Sequence, residues 1–324
     1  MSSSQKHLKG LSYAKYGYMF AVPFIIAFLI FSLYPTLYTL LIGFTDMKGV
    51  GNETHFLEQP FDNFNSILHN ESFKDSMKNT LKIWVMNFIP QMGLALLLTA
   101  WFTSRTSKIK GKGFFKVVFY MPNIITAATI AILFNTLFGY PKGPVNQILT
   151  SIGWQTTATD FFTNKSASQN IVSFIQFWTW FGNTMIMMIS GVLGISPDIY
   201  EAADIDGANG VQTFFRITLP NLKSILLYTL ITSMIGGLNM FDIPLLFNNG
   251  GPDGATTTAS VFIYRQAFKG KQLFARAAAA SMILFLIVCI LSAILFWIMR
   301  DKEAIANEKM RKEERKKRKA SGGA

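Results

Sequence analysis

Long apolar runs alternate with shorter polar stretches along this 324-residue chain. A sliding window of ~19 residues predicts six membrane-spanning helices, at residues 18–44, 81–102, 117–138, 171–195, 222–247 and 275–299. Each run is long enough to cross ~30 Å of hydrocarbon at ~1.5 Å per residue, and an even number returns both termini to one side. The first run carries Pro23 and Pro35, follows only a few basic residues and has no small-residue cleavage site, so it reads as a retained helix. The pattern gives an all-α membrane protein of about six transmembrane helices. It divides into an N-terminal segment 1–17, a membrane domain 18–299 and a tail 300–324.

Between the fourth and fifth runs lies a polar, acidic insert, Glu201-Ala202-Ala203-Asp204-Ile205-Asp206-Gly207, followed after nine residues by Ile217-Thr218-Leu219-Pro220. Residues 201–208 suit a short helix that stops at Gly207, where positive φ is tolerated. A second short helix over 211–217 is expected to end before Pro220, whose ring opposes helix continuation. Two short helices joined by a glycine turn make a knob standing out of the membrane, a shape suited to docking.

This spacing resembles the EAA loop of the integral membrane subunits of ATP-binding-cassette importers: EAA, three residues, Gly, nine residues, then Ile-x-Leu-Pro. The wider segment Ile195-Ser196-Pro197-Asp198-Ile199-Tyr200-Glu201-Ala202-Ala203-Asp204-Ile205-Asp206-Gly207-Ala208 is similar to the sugar permease branch typified by maltose and glycerol-3-phosphate importers. Phe61-Asp62-Asn63-Phe64 and the Gly250-Gly251-Pro252 turn, with Thr256 to Thr258 and Tyr264 after it, resemble the same branch. The resemblance implies a type I importer permease fold, with a core at about residues 78–299 and a cytoplasmic coupling helix in the loop 196–220. That loop would seat in a groove of the ATPase. Glu201 would supply an ion pair or hydrogen bond, Gly207 the turn, and Ala202, Ala203 and Ala208 close packing, within a contact that also includes Asp206, Leu219 and Pro220. The implied partners are a second homologous permease, two cytoplasmic ABC ATPase subunits, an extracytoplasmic solute-binding protein and a sugar. ATP and Mg would be held by the ATPase, and no cofactor or metal by this chain.

Composition agrees with a membrane protein: 50% of residues are hydrophobic, 15% are charged, and there are 30 Phe. Charge fixes an orientation. Lys6, Lys9 and Lys15, the connector from Arg105 to Lys116, Arg216 and Lys223, and a run of basic residues from Arg300 to Lys319 all fall on one side. By the positive-inside rule, both termini and the knob are expected to be cytoplasmic, and the resemblance implies that the membrane is a bacterial or archaeal cell membrane. The net charge of +12 reads as a topogenic anchor touching anionic membrane lipid, not as a nucleic-acid site. Cys289 is the single cysteine, which excludes a disulfide within the chain.

No motif for catalysis is found: Lys110-Gly111-Lys112-Gly113 has the residue types of a phosphate loop but not its spacing. The chain is therefore read as a transporter subunit and not an enzyme. Candidate pathway residues are Gly236, Asn239 and Phe241 in the fifth run, where Gly236, Asn239 or Met240, and Ile243 would share one helical face. Trp178 and Asn183 come from the fourth run. Asn239 falls where the resembled family has a substrate-contacting asparagine, and it equally suits a hydrogen bond between helices. Trp178 suits either sugar stacking or packing. Absence of Lys or Arg well inside the fourth and fifth runs favours a neutral sugar over glycerol-3-phosphate, a polyol being the other solute. A stand-alone secondary transporter would instead need inverted repeats and intramembrane acids.

Overall fold

The structure, a computed structural model, describes residues 14–104 and 109–299 together with Met310 and Glu313. The N-terminal segment to residue 13, the connector residues Arg105 and Lys108, and most of the basic tail lie outside the described residues. What is described is helical, the one β feature being an isolated bridge between Thr45 and Phe56. The described residues form two compact units, those up to 67 together with 266–282, and those of 68–265 together with those from 283 on.

In the first unit, α1 (Ala14–Phe28) and α2 (Tyr34–Ile42) are joined through a π-helical turn, Leu29–Leu33. Together they form one rod that is long and apolar enough to cross a membrane. The π turn precedes Pro35, and its wider ring accommodates a residue that cannot donate back along the helix. Asn63, at the start of α3 (Asp62–Leu68), holds the chain as it leaves this rod. Its Nδ2 donates to Gly43 O at 3.0 Å and Thr45 O at 2.8 Å. Phe44 packs on both Phe61 and Phe64, with ring centroids 5.6 and 5.0 Å away.

The second unit is built on α4 (Glu71–Thr103) packed along α8 (Lys165–Leu193). Ser76, Thr80, Ile83, Asn87, Gln91, Ala95, Leu98, Thr99 and Phe102 are buried on α4. Their spacing of three and four marks one continuous helical face. Polar side chains on that face are matched: Gln91 Nε2 donates to Thr184 Oγ1 at 2.8 Å, and Thr99 Oγ1 to Met185 O at 3.4 Å. Against α8 lies α5 (Lys112–Ile124), so close that a Cβ at Gly182 would collide with the Phe119 carbonyl. Then come α6 (Ala127–Leu137), α7 (Pro144–Ser151), the knob helices, α12 (Lys223–Leu238), α13 (Asp242–Asn248), α14 (Ala259–Phe268) and α15 (Phe274–Met299).

Among the described residues, three helices are long and apolar enough to span: Tyr16–Ile42, Glu71–Thr103 and Phe274–Met299. Two bent pairs bring the total to five, Lys112–Ile124 with Ala127–Leu137 at 95° and Gly210–Asn221 with Lys223–Leu238 at 67°. The fourth expected span is the 29-residue helix α8. It is long enough to cross, but Gln169, Ser173, Gln176, Asn183 and Thr184 lower its hydropathy.

Two expected spans are not continuous helices. The third breaks at Ile125 and Thr126, where extended backbone starts α6 with the Thr126 side chain as its N-cap. The fifth, expected as one helix over 222–247, ends at Leu238 and restarts at Asp242. Gly236 and Gly237 are weak helix formers, and Pro244 is tolerated in the first turn of α13, where no donor is needed. Gly236, Asn239 and Ile243 therefore do not share one face of a single helix.

Candidate functional site

The knob begins where Ser196 caps α9 (Pro197–Ile205), its Oγ accepting from Asp198 N at 3.4 Å. The helix closes in a Schellman motif: Gly207 N donates to Asp204 O at 3.1 Å and Ala208 N to Ala203 O at 2.9 Å. This geometry places Gly207 at φ +72°, which explains the glycine. Ala203 is buried, while Glu201, Ala202, Asp206 and Gly207 are exposed and Ala208 is half-buried.

A capping box of Asn209 and Gln212 then opens α10 (Gly210–Thr213). Here the structure departs from the sequence expectation, because the helix does not stop before Pro220. A second π turn, Phe214–Thr218, leads into α11 (Leu219–Asn221), and the chain bends at Leu222 instead. As at Pro35, the wider turn removes the need for a proline N–H. Leu219 is half-buried and Pro220 exposed. The knob's two arms are tied by Tyr200 Oη and Thr218 Oγ1, 3.2 Å apart. Ile205 is 87% exposed, Val211 68% and Phe215 61%. These exposed apolar side chains lie beside the polar ones of α9 and its cap.

The second site lies where α4, α8 and α12 meet. A cavity of ≈ 190 Å³ is lined by amides and hydroxyls, including Asn87, Gln91, Gln176, Asn183, Thr184 and Thr232, with Trp180 and Gly236. A neighbouring cavity of ≈ 370 Å³ is lined by Asn123, Gln176, Trp180, Gly236, Asn239, Phe241 and Asp242 among others. Gln176, Trp180, Gly236 and Met240 belong to both linings. Among the described residues of the two linings, Asp242 alone carries a formal charge. The arrangement offers hydrogen bonds to uncharged hydroxyls and an aromatic face, and it has no cation to hold an anionic group.

Four of the five pathway candidates, Gly236, Asn239, Phe241 and Asn183, come to these cavities. The Asn239 amide donates to Ile235 O of its own helix at 2.8 Å, not to a neighbouring helix. Trp178 lines neither cavity. Its ring packs edge-on against Phe134 at 5.5 Å, in the cluster with Ile130, Ile175 and Met240. Trp180, two residues on, takes the place at the cavities. Sequence reasoning also missed Asn87 and Gln91, whose signal was an amide pair four apart inside an apolar run. Among the described residues no group of three or more His, Cys, Asp or Glu is arranged to hold a metal.

The family described as binding-protein-dependent transport system inner membrane component matches residues 80–300, and the chain belongs to it. The chain is 29% identical to the lactose transport system permease protein LacF of Rhizobium radiobacter over 296 residues, covering 89% of this chain and 95% of that protein. It is 28% identical to the arabinooligosaccharides transport system permease protein AraP of Bacillus subtilis, covering 90% of this chain and 92% of that protein. In fold it is similar to a chain of a bacterial ABC transporter that imports the acidic polysaccharide alginate. That likeness has a TM-score of 0.74 at 25% identity over 87% of this chain and 94% of the other. A second alginate transporter structure, in complex with a periplasmic protein bound to an alginate pentasaccharide, gives a TM-score of 0.71 at 25% identity, covering 87% of this chain and 93% of that one. The chain is thus a membrane-spanning permease subunit of a binding-protein-dependent importer, as its relatives are transport permeases.

Proposed function

We propose that the transported solute is a neutral sugar or oligosaccharide, and that it passes between α4, α8 and α12. The carrying observation is the pair of adjoining cavities lined by amides, hydroxyls and Trp180, without Lys or Arg among the described residues. Relatives named for lactose and arabino-oligosaccharide transport support this reading. The alginate importers handle an acidic polysaccharide, whose carboxylates would leave these linings with uncompensated charge.

The knob is the contact for a cytoplasmic ATPase, with Glu201, Asp206 and Gly207 exposed on α9 and its cap, and Ile205, Val211 and Phe215 as the apolar anchors. Closure of an ATPase pair on ATP binding would move the knob, and the Tyr200–Thr218 tie would carry that motion into the arm that leads to α12. The assembly needs a second permease, two ATPase subunits that hold ATP and Mg, and an external solute-binding protein. Termini and knob face the cytoplasm.

Reconstitution tests this. The chain with its partners should take up a neutral oligosaccharide and show binding-protein-stimulated ATP hydrolysis, and the chain alone should hydrolyse none. Uptake by the chain alone, driven by an ion gradient, would overturn the reading in favour of a secondary transporter.

A further inference from the structure

The interrupted helix between α12 and α13 leaves a buried backbone group with no helical partner. In a continuous helix the carbonyl of Met240 would accept from the N–H of residue 244, which is proline and has none. Met240 is 5% exposed, so water does not readily replace that donor, and an unpaired buried carbonyl is costly. Thr258 supplies it: its Oγ1 donates to Met240 O at 2.7 Å, and Thr258 itself is fully buried.

Thr258 closes a loop, residues 249–258, that is wired with unusual density. Within it, Thr256 Oγ1 donates to Asn248 Oδ1 at 2.7 Å, Asn248 Nδ2 to Gly251 O at 2.7 Å, and Thr257 Oγ1 to Gly250 O at 3.0 Å. Side chains of α4 and α8 hold its backbone from outside. Asn79 Nδ2 donates to Gly254 O at 2.9 Å, and Gln169 Nε2 to Ala255 O at 2.7 Å and to Asn79 Oδ1 at 3.1 Å. Lys82 Nζ in turn donates to Gln169 Oε1 at 2.6 Å, and Thr80 Oγ1 accepts from Ala259 N at 2.9 Å. A plain connector between helices needs none of these pegs.

We propose that Thr258, set by Asn79 and Gln169, is a positioning residue for the pathway: it fixes the break at residues 239–241, so that the loop's seating determines the shape of both cavities. Met240 lines both of them and is the point at which the loop reaches the lining. Displacing the loop from the ends of α4 and α8 therefore moves the lining without any contact between loop and solute. The inference deepens the proposed function and rests on its assignment of the cavities as the sugar pathway.

The test uses the complete importer with its partners in proteoliposomes, labelling being read with Gly236→Cys as a reporter in a Cys289→Ser background and uptake being read with position 236 left as glycine. A Cβ at position 236 meets nothing within 4 Å, so the reporter fits. Thr258→Val keeps the shape and removes the donor. We expect it to assemble, to change the thiol-labelling rate at position 236 by about fivefold, the equivalent of one lost hydrogen bond, and to lower uptake per complex. Thr258→Ser should restore both. Unchanged labelling and uptake in Thr258→Val, or equal loss with Val and Ser, overturns the proposal. If Thr258→Val does not assemble, Asn79→Asp replaces it, with the same expected and overturning results. A labelling shift in an importer whose wild type takes up no neutral oligosaccharide would sink the sugar assignment and leave the positioning role standing.

Discussion

At the scale of single residues, Gly207 and Asn239 separate two kinds of requirement. A Cβ at Gly207 would meet nothing within 4 Å, yet φ is +72°, so any cost of substitution lies in the backbone, at about 1–2 kcal/mol for an ordinary side chain. Gly207→Val is expected to insert and assemble while losing much of the stimulated ATP hydrolysis, and Gly207→Asn to lose less, because Asn enters the left-handed region more readily. Equal stimulation in all three proteins would remove the turn from the coupling contact. Asn239 bonds its own helix, so Asn239→Leu should leave assembly yield intact. Uptake per complex should fall about tenfold, the effect expected when sugar hydroxyls lose a partner; a fall in yield that tracks uptake would make the residue structural. The sequence placed Trp178 and Trp180 in one run, but residues two apart point to nearly opposite faces of a helix. Which of the two met the cavities depended on helical phase, and apolar content does not fix phase.

Element by element, the stop of α9 was readable because Gly207 writes it locally, whereas its start was expected at Glu201 and lies four residues earlier, where the Ser196 cap and Pro197 open the helix. The breaks inside the third and fifth runs were not readable, since a hydropathy window sums apolar content and is blind to continuity. Pro220 misled for a related reason. Its ring predicts a stop, whereas a π turn carries the helix through it and the chain bends at Leu222 instead. Phe61-Asp62-Asn63-Phe64 stood out in the sequence by resemblance alone, and its physical role is a clamp. Asn63→Ala removes both donors to residues 43 and 45, at about 1–3 kcal/mol. Limited proteolysis should then cut within residues 43–62 faster than in the wild type, with the fragment pattern elsewhere unchanged. Cleavage at the wild-type rate would mean that the phenylalanine trio alone holds this segment.

For the whole molecule, the basic residues predict an orientation that a labelling experiment can decide. Cysteines replacing Asn52 or Gly254 should react with an impermeant reagent from outside, and one replacing Lys110 from the cytoplasmic side only. Reaction at position 254 from the cytoplasm alone would overturn the six-span topology. The two π turns carry a consequence for insertions and deletions. Each is an α-helix with one residue too many, so deleting that residue restores a regular helix and rotates everything on one side of it by about 100°. In the Leu29–Leu33 turn the rod exposes apolar side chains on all sides, and a rotated face still presents hydrocarbon to lipid. In the Phe214–Thr218 turn the same deletion swings Val211 and the Asn209 cap around the axis of the 210–221 arm and parts Tyr200 from Thr218. One register error is expected to pass almost unnoticed, and the other to uncouple the proposed ATPase contact from the helices of the pathway.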